Sequence, residues 1–386
     1  MLGSAAGWFV SSSIGINHRA VAEIDLGALR SNYHALRAID SRAELMVVVK
    51  ADAYGHGSIP VARELANEGC GHFGIATVEE GRELRTAGQR GRIYLLGGFF
   101  PEDAAAIIGL DLTPFVFDVA SIRVLDAAAA NVNRLDFPVH LKIDTGATRL
   151  GVLPEDLPAA IEELREARHL KLEGLSTLLA SAGDPASPVT DLQLAIFNSA
   201  LAALADAGRT PRYAHVANSA AIVMRTDSHF SMMRAGLSIY GLPPVPAVGA
   251  RVALRPVMTF KTRILQLKSV PPGSGVSYGH TFITQRPSTI GVLPVGYADG
   301  YRRGLQHGGE VIVRGRRVPV VGAVCMDLTM IDLTEIPEAR TGDEVILWGG
   351  ADDDSISVND IARLANTISY EMLSTVGKRV PRIYRG

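Results

Sequence analysis

A lysine followed by a glycine-containing turn is the first feature of this chain that could do chemistry. Lys50 directly follows the apolar residues 47–49, and Tyr54, Gly55 and Gly57 come shortly after it. A lysine at the end of a buried strand is partly removed from water, which favours its neutral, nucleophilic amine. Such an amine can form a Schiff base with a carbonyl compound. The lysine alone is more typical of a surface position at a strand end, but the tyrosine and the glycines favour a reactive one.

Two cationic side chains and a carboxylate are grouped within residues 140–151. Lys142 and Asp144 alternate in the sequence, so on a strand they would share one face and point into a barrel or its mouth. Arg149 follows in a short glycine-containing loop, where its guanidinium could bind a carboxylate. An ion-pair network with only a structural role is the minority interpretation, because a loop arginine is poorly placed for the core.

Small polar residues and glycines follow two later apolar runs. Asn218 and Ser219 follow the first run, and Gly236 and Leu237 follow the second. The loops after late strands of a barrel often bind phosphate through backbone N–H groups and a small hydroxyl. Each motif alone is also typical of an ordinary helix cap or turn, so neither is specific by itself.

Four further candidates stand in short polar or glycine-containing stretches of the last third of the chain. They are Tyr278, Tyr297, Met326 and Tyr370. Each is compatible with an ordinary turn residue. We find no pair of histidines or cysteines at metal-ligand spacing and no Gly-x-Ser-x-Gly motif, so neither a metal site nor a serine hydrolase is predicted.

The elements that must position these residues alternate in type over the first 240 residues. Short β-branched runs predict strands at 46–49, 73–76, 93–96, 114–117, 139–143, 172–176, 213–216 and 232–237. Stretches rich in Ala, Leu, Glu and Arg between them predict helices, for example at 59–68, 78–85 and 191–206. Strand and helix in alternation indicate parallel strands with crossover helices. About eight such repeats predict an α/β fold, a (β/α)₈ barrel. An open doubly wound sheet is the alternative, but its glycine-rich first turn is missing.

The pattern changes near residue 243, where Val-rich runs punctuated by Pro and Gly begin. They predict an antiparallel β domain with strands at 258–267, 289–294, 310–313, 318–324, 328–333 and 344–348. One helix is predicted at 358–369. We therefore predict a barrel domain at 1–250, whose first residues pack on the β domain, and a C-terminal β domain at 251–386.

The composition excludes several classes of protein. The net charge is -2 and no basic run stands out, so neither nucleic acid nor an anionic membrane is an expected partner. Two cysteines, Cys70 and Cys325, are too few for a disulfide framework and favour a reducing compartment. Residues 1–17 contain no Lys or Arg, so no secretory signal is predicted. A cytoplasmic protein is expected.

Taken together, these segments resemble alanine racemase, a family of fold-type III enzymes that use pyridoxal 5′-phosphate (PLP). The resemblance runs from about residue 20 to the C-terminus. It depends on the segments 50–57, 140–151, 215–221, 233–241, 276–280, 296–300, 325–327 and 366–371, which occur in the expected order and spacing.

The resemblance implies roles for individual residues. Lys50 would hold PLP as a Schiff base and act as one catalytic base, and Tyr278 would be the other. Arg149 would contact the substrate carboxylate and the PLP phenolic oxygen, Lys142 would orient it as a carbamate, and Arg234 would bond the pyridine nitrogen. Five residues would contact the phosphate of PLP: Tyr54, Ser219, Gly236, Leu237 and Tyr370. Asn218, which precedes Ser219, is also implied to bind the cofactor. Met326 and Tyr297 would bind or enclose the substrate. Since Tyr278, Tyr297 and Met326 come from the partner subunit in this family, a homodimer with shared active sites is implied.

One departure from the family is found at residues 177–184. A histidine that stacks on the pyridine ring in the family is replaced by Leu178, and the acidic residue expected near the entrance is displaced, with Gly183 there and Asp184 next. The expected activity is interconversion of L- and D-alanine, supplying or consuming D-alanine. A racemase of serine or of broader specificity, a PLP decarboxylase of the same fold type and a non-catalytic PLP carrier are the alternatives.

Overall fold

The computed structural model describes residues 18–351 and 354–386. The chain divides into two compact units whose segments interleave along the sequence. The first, here the barrel unit, comprises Glu23–Thr259, Ser357–Val376 and Tyr384–Gly386. The second, here the β unit, comprises Phe260–Ile356, Gly377–Ile383 and the segment ending at Ala22. Residues 1–17 lie outside the described residues. The sequence predicts that they contain no secretory signal and that they pack on the β domain, and both statements stay predictions. The predicted domain boundary near residue 250 stays a prediction.

Eight parallel strands make the barrel. After a first strand, β1 (Ala20–Asp25), they are β2 (Glu44–Val48), β3 (His72–Ile75), β4 (Arg92–Leu95), β5 (Thr113–Val116), β6 (Phe137–Lys142), β7 (Leu170–Ser176), β8 (Tyr213–His215) and β9 (Met232–Ala235). They are hydrogen-bonded in the order β8-β7-β6-β5-β4-β3-β2-β9. Backbone bonds from Ser231 to Ala214 (3.2 Å) and from Arg234 to Ala217 (3.0 Å) join the two ends. The predicted (β/α)₈ architecture is confirmed.

Several helices of the barrel unit begin with a side-chain cap. Thr77 and Glu80 form a capping box at one helix, and Asp118 caps another by accepting from the Ser121 N–H. The main helices of the barrel unit are Leu26–Arg37, Ser58–Asn67, Val78–Thr86, Ala104–Gly109, Val119–Asn131, Leu157–Glu166, Val189–Asp206 and Ser219–Met224. The first precedes the barrel strands and each of the others follows one of them, in the alternation that the sequence predicts.

Large side chains and a few polar ones fill the barrel. Met46, Tyr94, Phe115, Tyr213 and Met232 form one buried cluster. Removing a buried aromatic side chain costs about 3–5 kcal/mol of stability, so Phe115→Ala would remove a large share of the stability of a typical domain. This packing holds the strand ends, and hence the loops that follow them, in place.

The β unit is largely antiparallel, as predicted. Its strands, together with the last strand of the chain, are β10 (Met258–Arg263), β11 (Gln266–Val270), β12 (Gly275–Val276), β13 (Phe282–Ile283), β14 (Ser288–Leu293), β15 (Glu310–Val313), β16 (Arg316–Pro319), β17 (Thr329–Asp332), β18 (Glu344–Ala351), β19 (Asp354–Ile356) and β20 (Arg382–Arg385). The sheets have the orders β16-β15-β18-β10-β1-β20, with β19 on β18, then β11-β14-β17 and β12-β13.

Three element boundaries predicted from sequence are wrong. The predicted strand 258–267 is two strands in different sheets, β10 and β11. The predicted strand 318–324 ends at Pro319, and Gly322 then turns the chain with φ of 70°. A Cβ at Gly322 would lie 2.5 Å from the Val276 carbonyl oxygen, so this turn depends on glycine.

The predicted helix 358–369 is also wrong in extent. It ends at Leu364, and a second helix, Ser369–Ser374, follows. Asn366 lies between them with φ of 53°, a left-handed conformation that ends right-handed helices and that asparagine tolerates well. Within the described ranges, no helix is both long and apolar enough to cross a bilayer.

Candidate active site

Lys50 lies just beyond β2, at the start of an unusual left-handed turn. Ala51, Asp52, Ala53 and Tyr54 all have φ between 52° and 54°, and the Ala53 N–H donates to the Val49 carbonyl at 2.8 Å. Each non-glycine residue in this conformation costs roughly 1–2 kcal/mol. Four in succession persist only when the surroundings impose them, and strain of this kind concentrates at functional sites.

The carboxylate of Glu80 ties this turn to the neighbouring strand. Its Oε1 accepts from the Ala51 N–H at 2.6 Å, and its Oε2 accepts from the Ala76 N–H at 2.7 Å. Ala51 directly follows Lys50, and Ala76 follows the last residue of β3. Glu80 therefore fixes the backbone that carries Lys50, a role that its position in a helical capping box did not suggest.

A cavity of about 980 Å³ opens at the carboxyl ends of the barrel strands. Its lining includes every candidate residue predicted for the barrel unit: Lys50, Tyr54, Lys142, Arg149, Leu178, Asn218, Ser219, Arg234, Gly236, Leu237 and Tyr370. These residues are distributed over more than 300 positions of the sequence. The barrel brings them together because all parallel strands end on the same side.

The cations in the cavity change one another's ionisation. Burial and then the charge of Arg149 lower the pKa of Lys50, although Glu80 opposes the shift. Burial, followed by Arg234 and Arg149, lowers the pKa of Lys142 to about 7. Both amines therefore spend more time neutral, and thus nucleophilic, than an exposed lysine does.

Asp144 does not share the cavity with Lys142, contrary to the shared face predicted for them. β6 ends at Lys142, and the Asp144 carboxylate instead accepts four backbone N–H bonds from residues 146–149, at 2.8–3.1 Å. These bonds shape the loop that presents Arg149. Since charged acceptors make strong hydrogen bonds, Asp144 is a structural clamp for this loop.

Arg234 is buried and almost fully hydrogen-bonded. Its Nη1 donates to His215 Nδ1 at 2.8 Å and to the His215 carbonyl at 2.7 Å. Its Nη2 donates to the carbonyls of Thr177 (2.7 Å) and Val216 (3.1 Å). Among the described residues no acceptor is found for its Nε–H, and Arg234 lines the cavity. A ring nitrogen with a lone pair fits this remaining donor.

A small cradle lies between Ser219, Gly236 and Tyr54. The Ser219 hydroxyl accepts from the Gly236 N–H at 2.9 Å and from the Ser238 N–H at 3.4 Å. A Cβ at Gly236 would lie 2.8 Å from the Tyr54 hydroxyl and would fill the cradle. Tyr370 is adjacent, with its ring centroid 5.9 Å from that of Tyr54. Three hydroxyls and open space fit a phosphate group.

The segment that carries Leu178 is held by Gln193, which sequence reasoning missed. Gln193 Nε2 donates to the Leu178 carbonyl at 2.8 Å, and its Oε1 accepts from the Ala180 N–H at 2.8 Å. Its Nε2 also donates to Thr145 Oγ1, which lies 2.8 Å from Thr177 Oγ1. A glutamine on the apolar face of the helix Val189–Asp206 was the available signal, because buried polar groups need partners.

The β unit has a cavity of its own. About 1090 Å³ in volume, it is lined by Tyr278, Tyr297 and Met326 among others. These side chains are 77%, 44% and 53% exposed, respectively. Large apolar side chains at this exposure in one patch are typical of a surface that meets another molecule.

Two loops of this cavity are joined by an ion network around Arg379. Arg379 donates to Asp299 Oδ1 at 2.7 Å and to Asp327 Oδ1 at 2.6 Å. The Tyr297 N–H also donates to the Cys325 carbonyl at 3.1 Å. The loops that present Tyr297 and Met326 are therefore fixed relative to each other within the β unit.

Comparison with known proteins identifies the family. The family model described as "Alanine racemase, N-terminal domain" matches residues 24–244, and "Alanine racemase, C-terminal domain" matches residues 257–384. The alanine racemase of Symbiobacterium thermophilum is 42% identical over 365 residues, covering 95% of this chain and 97% of that protein. The alanine racemase of Halothermothrix orenii is 43% identical, covering 94% and 96%.

Solved structures agree with this result. The alanine racemase from Streptomyces lavendulae superposes with a TM-score of 0.91 at 38% identity, covering 96% of this chain and 97% of that one. The alanine racemase from Bacillus anthracis with bound L-Ala-P has a TM-score of 0.90 at 32% identity, covering 97% and 96%. Since family models match both parts of the chain and whole-length relatives exceed 40% identity, this chain belongs to the alanine racemase family.

Proposed function

We propose that this chain interconverts L- and D-alanine with PLP as cofactor, as a homodimer whose active sites combine residues of both subunits. The observation that carries the proposal is the convergence of Lys50, Arg234 and the Gly236 cradle on one cavity. They match the reactive carbonyl, ring nitrogen and phosphate of one PLP molecule. The family relationship supports the same activity, since its relatives are named alanine racemases.

The residues of the barrel unit fit the cofactor at three points. Lys50 would hold its carbonyl carbon, the Arg234 Nε–H would bond its ring nitrogen, and Ser219 with the Gly236 backbone would hold its phosphate. Tyr54 and Tyr370 would add hydroxyl contacts at the phosphate. When bound, PLP supplies an electron-withdrawing ring that makes the α-proton of a linked amino acid acidic.

Two bases on opposite faces are needed to invert a carbon centre. We assign the Lys50 amine to one face and the phenol of the partner subunit's Tyr278 to the other. The lowered pKa of Lys50 makes its amine available to accept the α-proton. The 77% exposure of Tyr278 in a single chain is consistent with a group that acts in a second subunit's site.

Arg234 directs the chemistry toward racemisation. Burial lowers its pKa to about 10, which still leaves it a cation at neutral pH. Toward a bound PLP it would donate a hydrogen bond to the ring nitrogen without transferring a proton, so the ring would withdraw less charge from the α-carbon. Decarboxylation and transamination, which are favoured by a protonated ring, would then be disfavoured.

The substrate carboxylate is assigned to Arg149 and to the backbone N–H of Met326 of the partner subunit, with the partner's Tyr297 narrowing the entrance. Arg149 is exposed on the cavity side and is presented by the Asp144 clamp. We propose a negative charge on Lys142, as a carbamate, to hold this guanidinium. A cytoplasmic location is proposed from the cysteine content alone.

The purified protein with PLP should form D-alanine from L-alanine, and borohydride should fix PLP on the peptide that contains Lys50. A panel of L-amino acids assayed in parallel separates alanine from serine or larger substrates. Racemisation of such another amino acid is the second candidate function, and Leu178 favours it because this side chain changes the cavity wall. CO₂ release instead of inversion would replace the proposal by a decarboxylase. Labelling at another lysine would overturn the site assignment.

A further inference from the structure

A chain of buried polar side chains runs from Arg234 through the barrel interior. Arg234 Nη1 donates to His215 Nδ1 at 2.8 Å, and His215 Nε2 lies 2.8 Å from His140 Nδ1. His140 Nε2 lies 3.7 Å from Glu173 Oε2, and that carboxylate also pairs with Arg92. Both imidazoles are fully buried, so every proton in this chain needs a defined place.

The direction of the hydrogen bonds follows from chemistry at one end. A guanidinium can only donate, so His215 Nδ1 must accept. A neutral His215 then carries its proton on Nε2 and donates to His140 Nδ1. His140 in turn carries its proton on Nε2, the nitrogen that faces Glu173. The Arg234 donor at one end is thus compatible only with a proton on Nε2 of both rings, and the Glu173 carboxylate at the other end favours the same arrangement.

The surrounding charges keep both rings neutral. Burial and then the charge of Arg234 hold the pKa of His215 well below its usual range. Burial also lowers the pKa of His140, with Glu173 opposing the shift. For Glu173, burial acts in the opposite direction, but His140 and Arg92 outweigh it and lower its pKa overall. The carboxylate is therefore ionised, and its negative charge lies 3.7 Å from His140 Nε2, beyond hydrogen-bond distance but close enough to favour a proton on that nitrogen.

We propose that His140 and Glu173 are positioning residues that hold His215 in its Nε2–H form and thereby keep the guanidinium of Arg234 oriented toward the cavity. Without the acceptor at His140, the buried Nε2–H of His215 has no partner. The ring can then change tautomer, and an Nδ1–H would oppose the Arg234 N–H, donor against donor. Arg234 would move to avoid it, and the Nε–H assigned to the cofactor ring would move as well. This inference rests on the proposed function.

Two variants at position 140 separate positioning from packing. Asparagine in His140→Asn keeps an acceptor oxygen close to the place of Nδ1, whereas leucine in His140→Leu keeps bulk and removes the acceptor. Tyr94→Phe is the matched control, because Tyr94 packs 5.1 Å from the His140 ring and its hydroxyl bonds His72 at 2.9 Å, outside the chain. Glu173→Gln tests the far end.

The readouts are the PLP dissociation constant and ¹⁵N NMR of histidine-labelled protein. His140→Leu should weaken PLP binding about 10-fold, the effect of one unsatisfied buried donor, while His140→Asn and Tyr94→Phe stay within about 2-fold of wild type. In the wild-type holoenzyme, His215 and His140 should both be neutral and protonated on Nε2. Glu173→Gln should alter the His140 signals.

The proposal would be overturned if NMR of the wild type showed either imidazole to be cationic or to carry its proton on Nδ1. This readout uses the wild type, so it does not depend on whether His140→Leu folds. Equal PLP binding by His140→Leu and Tyr94→Phe would overturn it as well. These results do not depend on turnover. If wild type binds PLP and shows the expected tautomers but does not racemise alanine, the proposed function fails and this inference stands.

Discussion

At the level of single residues, Leu178 is the position where the sequence predicts a departure from the family. Leu178 lines the cavity, and the family resemblance implies a histidine at this place that would stack on the cofactor ring. Leucine can cover a ring by dispersion contacts, so we expect PLP still to bind. It cannot donate or accept a hydrogen bond, so the implied link between Arg234 and Tyr278 would be missing.

Leu178→His should therefore raise kcat for alanine, by about 5- to 10-fold for one restored hydrogen bond, without a large change in PLP affinity. Racemisation is measured in both directions, because the step that uses Tyr278 should gain most. Leu150→His is the matched control, since Leu150 lines the same cavity. An unchanged or lower rate for Leu178→His would show that leucine suits this pocket better, and the lost-link explanation should then be dropped.

Lys142 gives a pH-dependent prediction at the same scale. A carbamate forms from CO₂ and a neutral amine, and the pKa of Lys142 is lowered to about 7. Because deprotonation comes first, ¹³C-bicarbonate should label the protein increasingly as pH rises through about 7, well below the range of an exposed lysine. The signal is measured by ¹³C NMR.

Lys142→Met should abolish this ¹³C signal, and Lys171→Met, at an exposed position, should keep it. The anion would lie among the cations Arg149 and Arg234, and their charge would favour the modification. Absence of the signal from wild type across the neutral range, or its persistence in Lys142→Met, would contradict the carbamate.

At the level of elements, the helix Val189–Asp206 controls the cavity wall through a single side chain. Gln193 bonds the carbonyl of Leu178 and the N–H of Ala180, one on each side of Leu179. The segment has no regular structure of its own at this point, so these bonds replace the pairing that a strand would supply.

Gln193→Met should lower the free energy of unfolding by about 2 kcal/mol, because it removes two half-buried hydrogen bonds worth about 1 kcal/mol each. It should also raise KM for alanine and speed hydrogen exchange at the Ala180 amide. Ser199→Ala, on the exposed side of the same helix, is the control and should change neither. If amide exchange at Ala180 stays at the wild-type rate, Gln193 is not what holds the wall.

At the level of the whole molecule, a single chain has two separate cavities, which we propose as the two halves of a shared active site. Lys50, Arg149 and Arg234 line a cavity of the barrel unit, while Tyr278 and Met326 line one of the β unit. The exposed aromatic patch of the β unit suits contact with a second copy of the chain, as the family resemblance implies.

Lys50→Ala and Tyr278→Phe should each lose nearly all activity, yet recover it when mixed under conditions of subunit exchange. With random exchange about half of the dimers are mixed, and each mixed dimer has one intact site, so about one quarter of wild-type activity is expected. Exchange is verified with differently tagged chains. No recovery despite proven exchange would place both bases in one subunit.

The sequence by itself determined the fold class and predicted which residues line the barrel cavity. Alternation of strand and helix is a local property, and so is the position of Lys50 or Arg234 at the end of a buried run. Since parallel strands of a barrel end on one side, local order along the chain was sufficient to predict which residues meet at the cavity.

Only the tertiary structure decided how those residues are held. Gln193, Glu80 and Asp144 act through hydrogen bonds to backbone atoms, which leave no characteristic pattern in the sequence. The same holds for the chain from Arg234 to Glu173, whose members come from four different strands or strand ends. Helix and strand limits near Asn366 and Gly322 were missed because single positive φ angles set them. Contacts between side chains and distant backbone depend on three-dimensional packing, which local spacing does not encode.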